Sequence, residues 1–310
     1  MSARDHDGWD AWLGSWVIHC NAEGFKPTTV KIYTQGLANL AEWARANGIG
    51  DPTELAKRDV ERYLAHFRTR KHKTTGEPVS GAYVRRDYTS LRQFFKWLAA
   101  EERIADAMAE TKTPKFDLKQ REIIPDDELT RLLATCAGTS FAERRDCALI
   151  RVLLDCGARR SEIMSLGVED VDMTLRVLNV IGKGGKPRPI PFGHKTAEAL
   201  SRYLRTRARH KDSRHPALWL SAAPHRGPMG VDGLRQVLIR RGREAGLSNV
   251  TPHRFRHTAY DAFKERGGDD TTAMSLFGWS TRSMLDHYAR SNGQSRAVKI
   301  AHRISAGDRV

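Results

Sequence analysis

The chain has 310 residues, with 52 Lys and Arg against 37 Asp and Glu, a formal net charge of +15. That length suits two domains of ordinary size, and 40% hydrophobic with 29% charged residues excludes a disordered or fibrous chain. The positive excess fits a polyanion, nucleic acid ahead of an anionic membrane surface, although charge alone describes a merely basic globular protein equally well.

The first ten residues hold three aspartates and lack the basic-then-apolar pattern of a secretory leader. Residues 27 to 47 place Val30, Tyr33, Leu37, Leu40 and Trp43 near helical spacing, and Gly48 suits the stop. A second helix runs from Thr53 or Lys57 to about Arg70, with Val60, Tyr63, Leu64 and Phe67 in the same period. The turn signal TTGEPVSG separates it from a third, striped by Val84, Tyr88, Leu91, Phe94, Phe95 and Leu98. Residues 1–105 therefore read as an all-helical domain. Residues 106–124 lose the periodicity around Pro114 and read as an extended linker.

Helical pattern resumes at Asp126-Asp127-Glu128, where acidic side chains favour a helix start. Ala148, Leu149, Val152, Leu153 and Cys156 then mark a core helix. The one clear strand signal is Arg176 to Phe192, a hairpin with Gly182-Lys183-Gly184-Gly185 at its tip. From Thr196 onward the chain returns to helices, so residues 125–310 read as a mainly α domain with a small β-hairpin. No stretch reaches the ~18 uninterrupted apolar residues of a membrane helix. Cys20, Cys136, Cys147 and Cys156 show no CxxC pairing and read as reduced thiols of a cytosolic protein.

Charge is uneven. Residues 1–120 hold 19 basic and 16 acidic side chains, against 33 and 21 in residues 121–310. The densest basic runs contain Arg205 and Arg241, which the scarcity of acids one turn away points toward phosphate; a solvated helix face is the plain alternative. Arg85 and Arg86 on the third helix are candidate groove residues.

Two familiar chemistries fail. His253 and His257 have zinc-like spacing, but the intervening Arg-Phe-Arg supplies no glutamate and would repel a cation. The glycine-rich hairpin tip lacks the spacing and following helix of a nucleotide loop. What remains is a set of cations suited to one phosphate diester. Arg159 and Glu162 lie three apart, as do His253 and Arg256, and Thr251-Pro252 makes a sound cap and first residue for a helix. Lys183 lies at the hairpin tip, with Lys186 as an alternative.

These boxes in this order, Gly157-Ala158-Arg159-Arg160-Ser161-Glu162, Gly182-Lys183-Gly184, His253 to His257, Leu276-Phe277-Gly278-Trp279 and Met284 to Tyr288, resemble the tyrosine recombinase (phage integrase) family. The resemblance covers nearly the whole chain. It implies a helical, SAM-like core-binding domain, a linker and a catalytic domain, closing on duplex DNA as a clamp. With the core-binding helices starting almost at once, the expectation is the simple type without an arm-binding domain. Tyr288 is then the nucleophile that forms a 3′-phosphotyrosyl link. Arg159 and Arg256 grip the non-bridging oxygens, Lys183 protonates the leaving 5′-oxygen, and His253 acts as acid or base. Glu162 supports Arg159, and His257 either supports the site or is simply a packed histidine.

Trp279 departs from the histidine most bacterial members carry. An indole can donate a hydrogen bond and pack but cannot transfer a proton. The resemblance implies no metal, ATP or other cofactor, a short inverted-repeat DNA site, and four protomers at synapsis from a free monomer or weak dimer. A host or phage accessory protein is a further expected partner, and the cytoplasmic nucleoid the expected location. Integration or excision of a phage or mobile element is the favoured reading. The alternatives are a Xer-like resolvase, a type IB topoisomerase and a silent DNA-binding regulator. Residues 297–304 either dock on a neighbouring protomer or pack on their own domain.

Overall fold

The computed structural model describes residues 8–71, 76–115, 122–182, 185–223, 226–282, 284, 285 and 298. The chain divides into two compact units, Met1–Lys119 and Gln120–Val310.

In the first unit α1 (Gly8–Ala22), α2 (Pro27–Ala46), α3 (Lys57–Thr69) and α4 (Gly81–Glu102) surround one core. Pro27 begins α2, where its missing N–H costs nothing. The Ser80 hydroxyl caps α4 by accepting from the Tyr83 amide at 3.2 Å. The apolar stripes converge on Trp16, Leu37, Leu40, Tyr63, Phe67, Leu91 and Phe94, all essentially inaccessible. Among them is a polar knot: the Asp87 carboxylate on α4 accepts from Asn39 Nδ2 on α2 at 3.1 Å and from Tyr63 Oη on α3 at 2.8 Å. Burial pushes the Asp87 carboxyl up to about 6, against the opposing pull of those two bonds and of Arg86 and Arg70.

Two features differ from the sequence reading. Helix α1 shows no single stripe, because Trp9, Trp12, Leu13, Trp16, Val17 and Ile18 surround its axis; packing of Trp9, Trp16 and Cys20 defines it, while Ile18 is exposed. The segment read as an extended linker is anchored at both ends. Met108 is buried and Tyr88 Oη donates to the Thr111 carbonyl at 2.8 Å within the first unit. The Ile124 amide donates to Thr258 Oγ1 at 2.9 Å within the second.

The second unit runs α5 (Asp126–Ala134), α6 (Phe141–Cys156), α7 (Arg160–Met164), β1 (Val171–Asp172), β2 (Val177–Ile181) and β3 (Pro187–Pro191), then α8 (His194–Arg207), α9 (Val231–Glu244), α10 (Pro252–Glu265) and α11 (Asp270–Phe277). Helix α6 is the spine, packed between α8 and α10 and started by a capping box of Ser140 and Glu143. The expected hairpin is present as β2 and β3, antiparallel with Val180 opposite Arg188. The two-residue β1 adds a third strand in the order β1-β2-β3, too short to show an alternation in sequence. Leu178, Val180 and Ile190 turn into the core of this unit. Among the described residues no helix is long and apolar enough to cross a membrane.

Candidate active site

A cleft of about 1000 Å³ opens in the second unit, with Arg159, His253, Arg256 and Trp279 among its walls. Its geometry begins where α6 stops. Gly157 takes the left-handed conformation (φ 51°), and a Cβ there would lie 2.4 Å from the Phe277 ring. Only glycine satisfies both the backbone and the space. Two residues later Arg159 is the N-cap of α7, its amide donating to Glu162 Oε2 at 2.8 Å and its Nη1 to Glu162 Oε1 at 2.9 Å.

The end of α11 supplies the other half. A Schellman turn through Gly278 satisfies the carbonyls of Met274 and Ser275 with the amides of Trp279 and Gly278. The next three carbonyls each accept from an arginine. Leu276 accepts from Arg188 Nε at 3.1 Å, Phe277 from Arg256 Nη2 at 2.6 Å, and Gly278 from Arg159 Nη2 at 2.7 Å. A helix C-terminus is the negative end of its dipole and leaves carbonyls without intrahelical partners, so cations gather there for two reasons. Arg256 also donates to the Gly157 carbonyl at 2.8 Å and lies 5.3 Å from the Trp279 ring centre.

Glu162 is buried beneath these cations. Arg188 forks it, Nη1 to Oε1 at 3.1 Å and Nη2 to Oε2 at 2.8 Å, while Arg159 takes the remaining positions. Burial pushes the Glu162 carboxyl up, but the hydrogen bonds from Arg188 and Arg159 outweigh it and hold the group below its ordinary range.

Helix α10 starts as its sequence predicts, with Thr251 Oγ1 accepting from the Arg254 amide at 3.3 Å and Pro252 in the first turn. One turn later His257 Nε2 lies 3.2 Å from His253 Nε2, the rings nearly perpendicular. One nitrogen donates and the other accepts, so the contact holds one proton between the two. Trp279 is 5% exposed and stacks on Phe277 with ring centres 5.2 Å apart.

Arg159, Glu162, His253, Arg256, His257 and Trp279 thus converge. Lys183 and Tyr288 lie outside the described residues, as does the C-terminal segment around 297–304 apart from Val298. Arg85, Arg86 and Arg205 are exposed, and the Arg86 guanidinium lies 4.4 Å from the Tyr83 ring centre.

Arg241 requires a correction. It is 6% exposed, and donates to Asp146 at 2.9 Å, to the Thr135 carbonyl at 2.6 Å and to Glu244 at 2.8 Å. Its charge neutralises the wholly buried Asp146 rather than facing a phosphate. Arg207, in the other basic run, is likewise buried and donates to the carbonyls of Ser213, His215, Ala217 and Leu218. Runs of arginine in sequence do not separate these internal struts from surface charge. Arg188 is the site residue that motif reasoning missed. Strand alternation could have found it, since it shares a face with buried Ile190 two residues on.

A family model described as "Phage integrase family" matches residues 122–295, and one described as "Phage integrase, N-terminal SAM-like domain" matches residues 12–104. The chain belongs to the phage integrase family. Its integrase-family relatives include tyrosine recombinase XerC of Chromobacterium violaceum, 29% identical over 291 residues, covering 93% of this chain and 92% of the relative. XerC of Staphylococcus haemolyticus is 28% identical over 281 residues, covering 89% and 91%. XerD of Bifidobacterium longum is 27% identical over 295 residues, covering 91% and 93%. The chain is therefore a tyrosine recombinase, and the mainly helical two-domain fold class stands.

Among solved structures, XerH recombinase bound to palindromic difH in a post-cleavage complex has the same fold, with TM-score 0.70, 15% identity and coverage of 90% and 80%. A lambda integrase dimer bound to a COC′ core site gives TM-score 0.70, 18% identity and coverage of 92% and 77%.

Proposed function

We propose that this recombinase cleaves and rejoins DNA at a short inverted-repeat site through Tyr288, serving integration and excision of a phage or mobile element. The observation that carries the reading is the placement of Arg159 and Arg256 on adjacent carbonyls, with His253 on the same cleft. Two permanently charged forks this close suit one phosphodiester, stabilising the extra charge of the pentavalent state without a metal.

In the first step the Tyr288 oxygen bonds to phosphorus and the 5′-oxygen departs, taking a proton from Lys183. His253 accepts the phenolic proton, Glu162 and His257 hold Arg159 and His253, and Trp279 packs against Arg256. The 5′-hydroxyl of the partner strand then attacks the phosphotyrosine, its proton returning to Lys183, and Tyr288 departs with the proton held by His253. One phosphoester bond replaces another at each step, so no ATP is consumed. Residues 1–105 and 125–310 close on the duplex as core-binding and catalytic domains. Four protomers join two sites, in the cytoplasm at the nucleoid, with a host or phage accessory protein setting direction. The names of the relatives, tyrosine recombinases XerC and XerD, support a second reading as a Xer-like resolvase.

The test is covalent trapping on randomly nicked genomic DNA, wild type beside Tyr288→Phe, with the protein-linked ends sequenced. The expected result is a wild-type adduct at one inverted sequence and none from the variant. An attachment junction at that site supports the integrase, and a chromosomal or plasmid resolution site the Xer-like reading. Adducts scattered over sequence would instead indicate a topoisomerase, and tight binding without adducts a regulator.

A further inference from the structure

Arg188 belongs to none of the five boxes, yet it touches two of them. Its three nitrogens reach Glu162 twice and the Leu276 carbonyl once, and its side chain is 14% exposed. Gly278 is pressed against it, since a Cβ there would lie 2.9 Å from Arg188 Cζ and 3.2 Å from Arg159 Nη1.

Glu162 has four good acceptor positions. Arg188 occupies two, leaving Arg159 one for its amide and one for its side chain. Without Arg188 the carboxylate could turn and take Arg159 in a bidentate pair, drawing its Nη2 from the Gly278 carbonyl. The charge count changes as well. Two cations sharing one carboxylate leave a net positive charge beside the cleft, whereas one cation with one carboxylate leaves none.

We propose that Arg188 is a positioning residue for phosphate activation. It divides the Glu162 carboxylate and pins the Leu276 carbonyl, so that Arg159 and Arg256 meet the scissile phosphate correctly aimed and with net positive charge. This rests on the recombinase reading above. Arg188 itself contacts no reacting atom; it acts through Arg159 and Arg256.

The experiment uses the full chain, a nicked duplex carrying the trapped site, and single-turnover adduct formation. Arg188→Gln and Arg188→Lys are compared with wild type on an ordinary phosphate and on a neutral methylphosphonate at the scissile position. A methylphosphonate has one non-bridging oxygen fewer to grip and no ground-state charge. A residue acting through the arginines matters less on it.

Arg188→Gln should slow cleavage of the phosphate by about 30- to 100-fold, with duplex affinity within about threefold of wild type. On the methylphosphonate the same variant should lose under about threefold. Arg188→Lys, which keeps the charge but not the fork, should fall between. Equal slowing on both linkages would reveal a merely structural residue, and full activity of Arg188→Gln on the phosphate would remove any role; either overturns the proposal. Failure of wild type to cleave the phosphate would overturn the recombinase reading and this proposal together, which separates the two failures.

Discussion

Asp87→Asn should stabilise the first unit at neutral pH. Burial raises the Asp87 carboxyl from its ordinary 3.8 to about 6, which corresponds to about 3 kcal/mol of preference for the protonated form in the folded state. The folded protein keeps this proton between about pH 4 and 6, where the unfolded chain has released it. Stability from this group is therefore full below about pH 4, falls as pH rises through that window, and stays low at pH 7. Asparagine resembles the protonated acid. Its carbonyl can accept from Asn39 and its amide can donate to the Tyr63 oxygen, although the Tyr63 hydroxyl proton then loses the acceptor it has in wild type.

Allowing for weaker neutral hydrogen bonds, the gain at pH 7 is about 1–2 kcal/mol, or about 5–10 °C in the melting of a unit this size. Tryptophan fluorescence reports it, because Trp9, Trp12, Trp16, Trp43 and Trp97, five of the seven tryptophans, lie in that unit. Urea melts at pH 4.5 and pH 7 should converge for the variant relative to wild type. An Asp87→Asn protein less stable than wild type at pH 7, with the pH dependence between 4 and 6 unchanged, would show that the carboxylate's hydrogen bonds outweigh its burial.

Other substitutions have equally definite expectations. Gly157→Ala places a methyl against the Phe277 ring and strains a left-handed backbone, so calorimetry should show a loss of about 2 kcal/mol or more, accompanied by loss of adduct formation. Glu162→Gln should lower stability at pH 7 but not in strong acid. The wild-type contribution is present above the usual glutamate range and disappears as pH falls through the depressed value, which a pH series of thermal melts would check. Asp146→Asn, which leaves the buried Arg145 and Arg241 short of a counter-charge, should cost about 3–5 kcal/mol in urea unfolding. Duplex binding should weaken with salt at a log–log slope of about −0.9 per phosphate neutralised, and fluorescence anisotropy showing no salt dependence would contradict it.

Much of the second unit was readable as local rules. The Thr251-Pro252 start of α10 and the hairpin around Gly182 follow from caps and alternation that need no tertiary context. The three-residue spacing of Arg159 and Glu162 became a 2.9 Å ion pair. What escaped depends on partners remote in sequence. Helix α1 is apolar on all sides, so its buried face is chosen only by what packs there. Arg188 stands 26 residues from Glu162 and 88 from Leu276, and nothing in Pro-Arg-Pro announces either. Arg207 and Arg241 read as surface charge because burial of an arginine depends on carbonyls and a carboxylate supplied by other elements.

The three arginine-binding carbonyls at residues 276–278 belong to the main chain, and this determines which mutations the site can absorb. A change of side chain at Leu276 leaves its oxygen where it was. Inserting or deleting one residue before Gly278 would shift the whole row by one place, offering Arg188, Arg256 and Arg159 each the wrong oxygen at once. The stretch should therefore tolerate replacement by letter while rejecting any change of length, a grammar of spacing rather than of vocabulary that a deep insertion-and-deletion scan would expose.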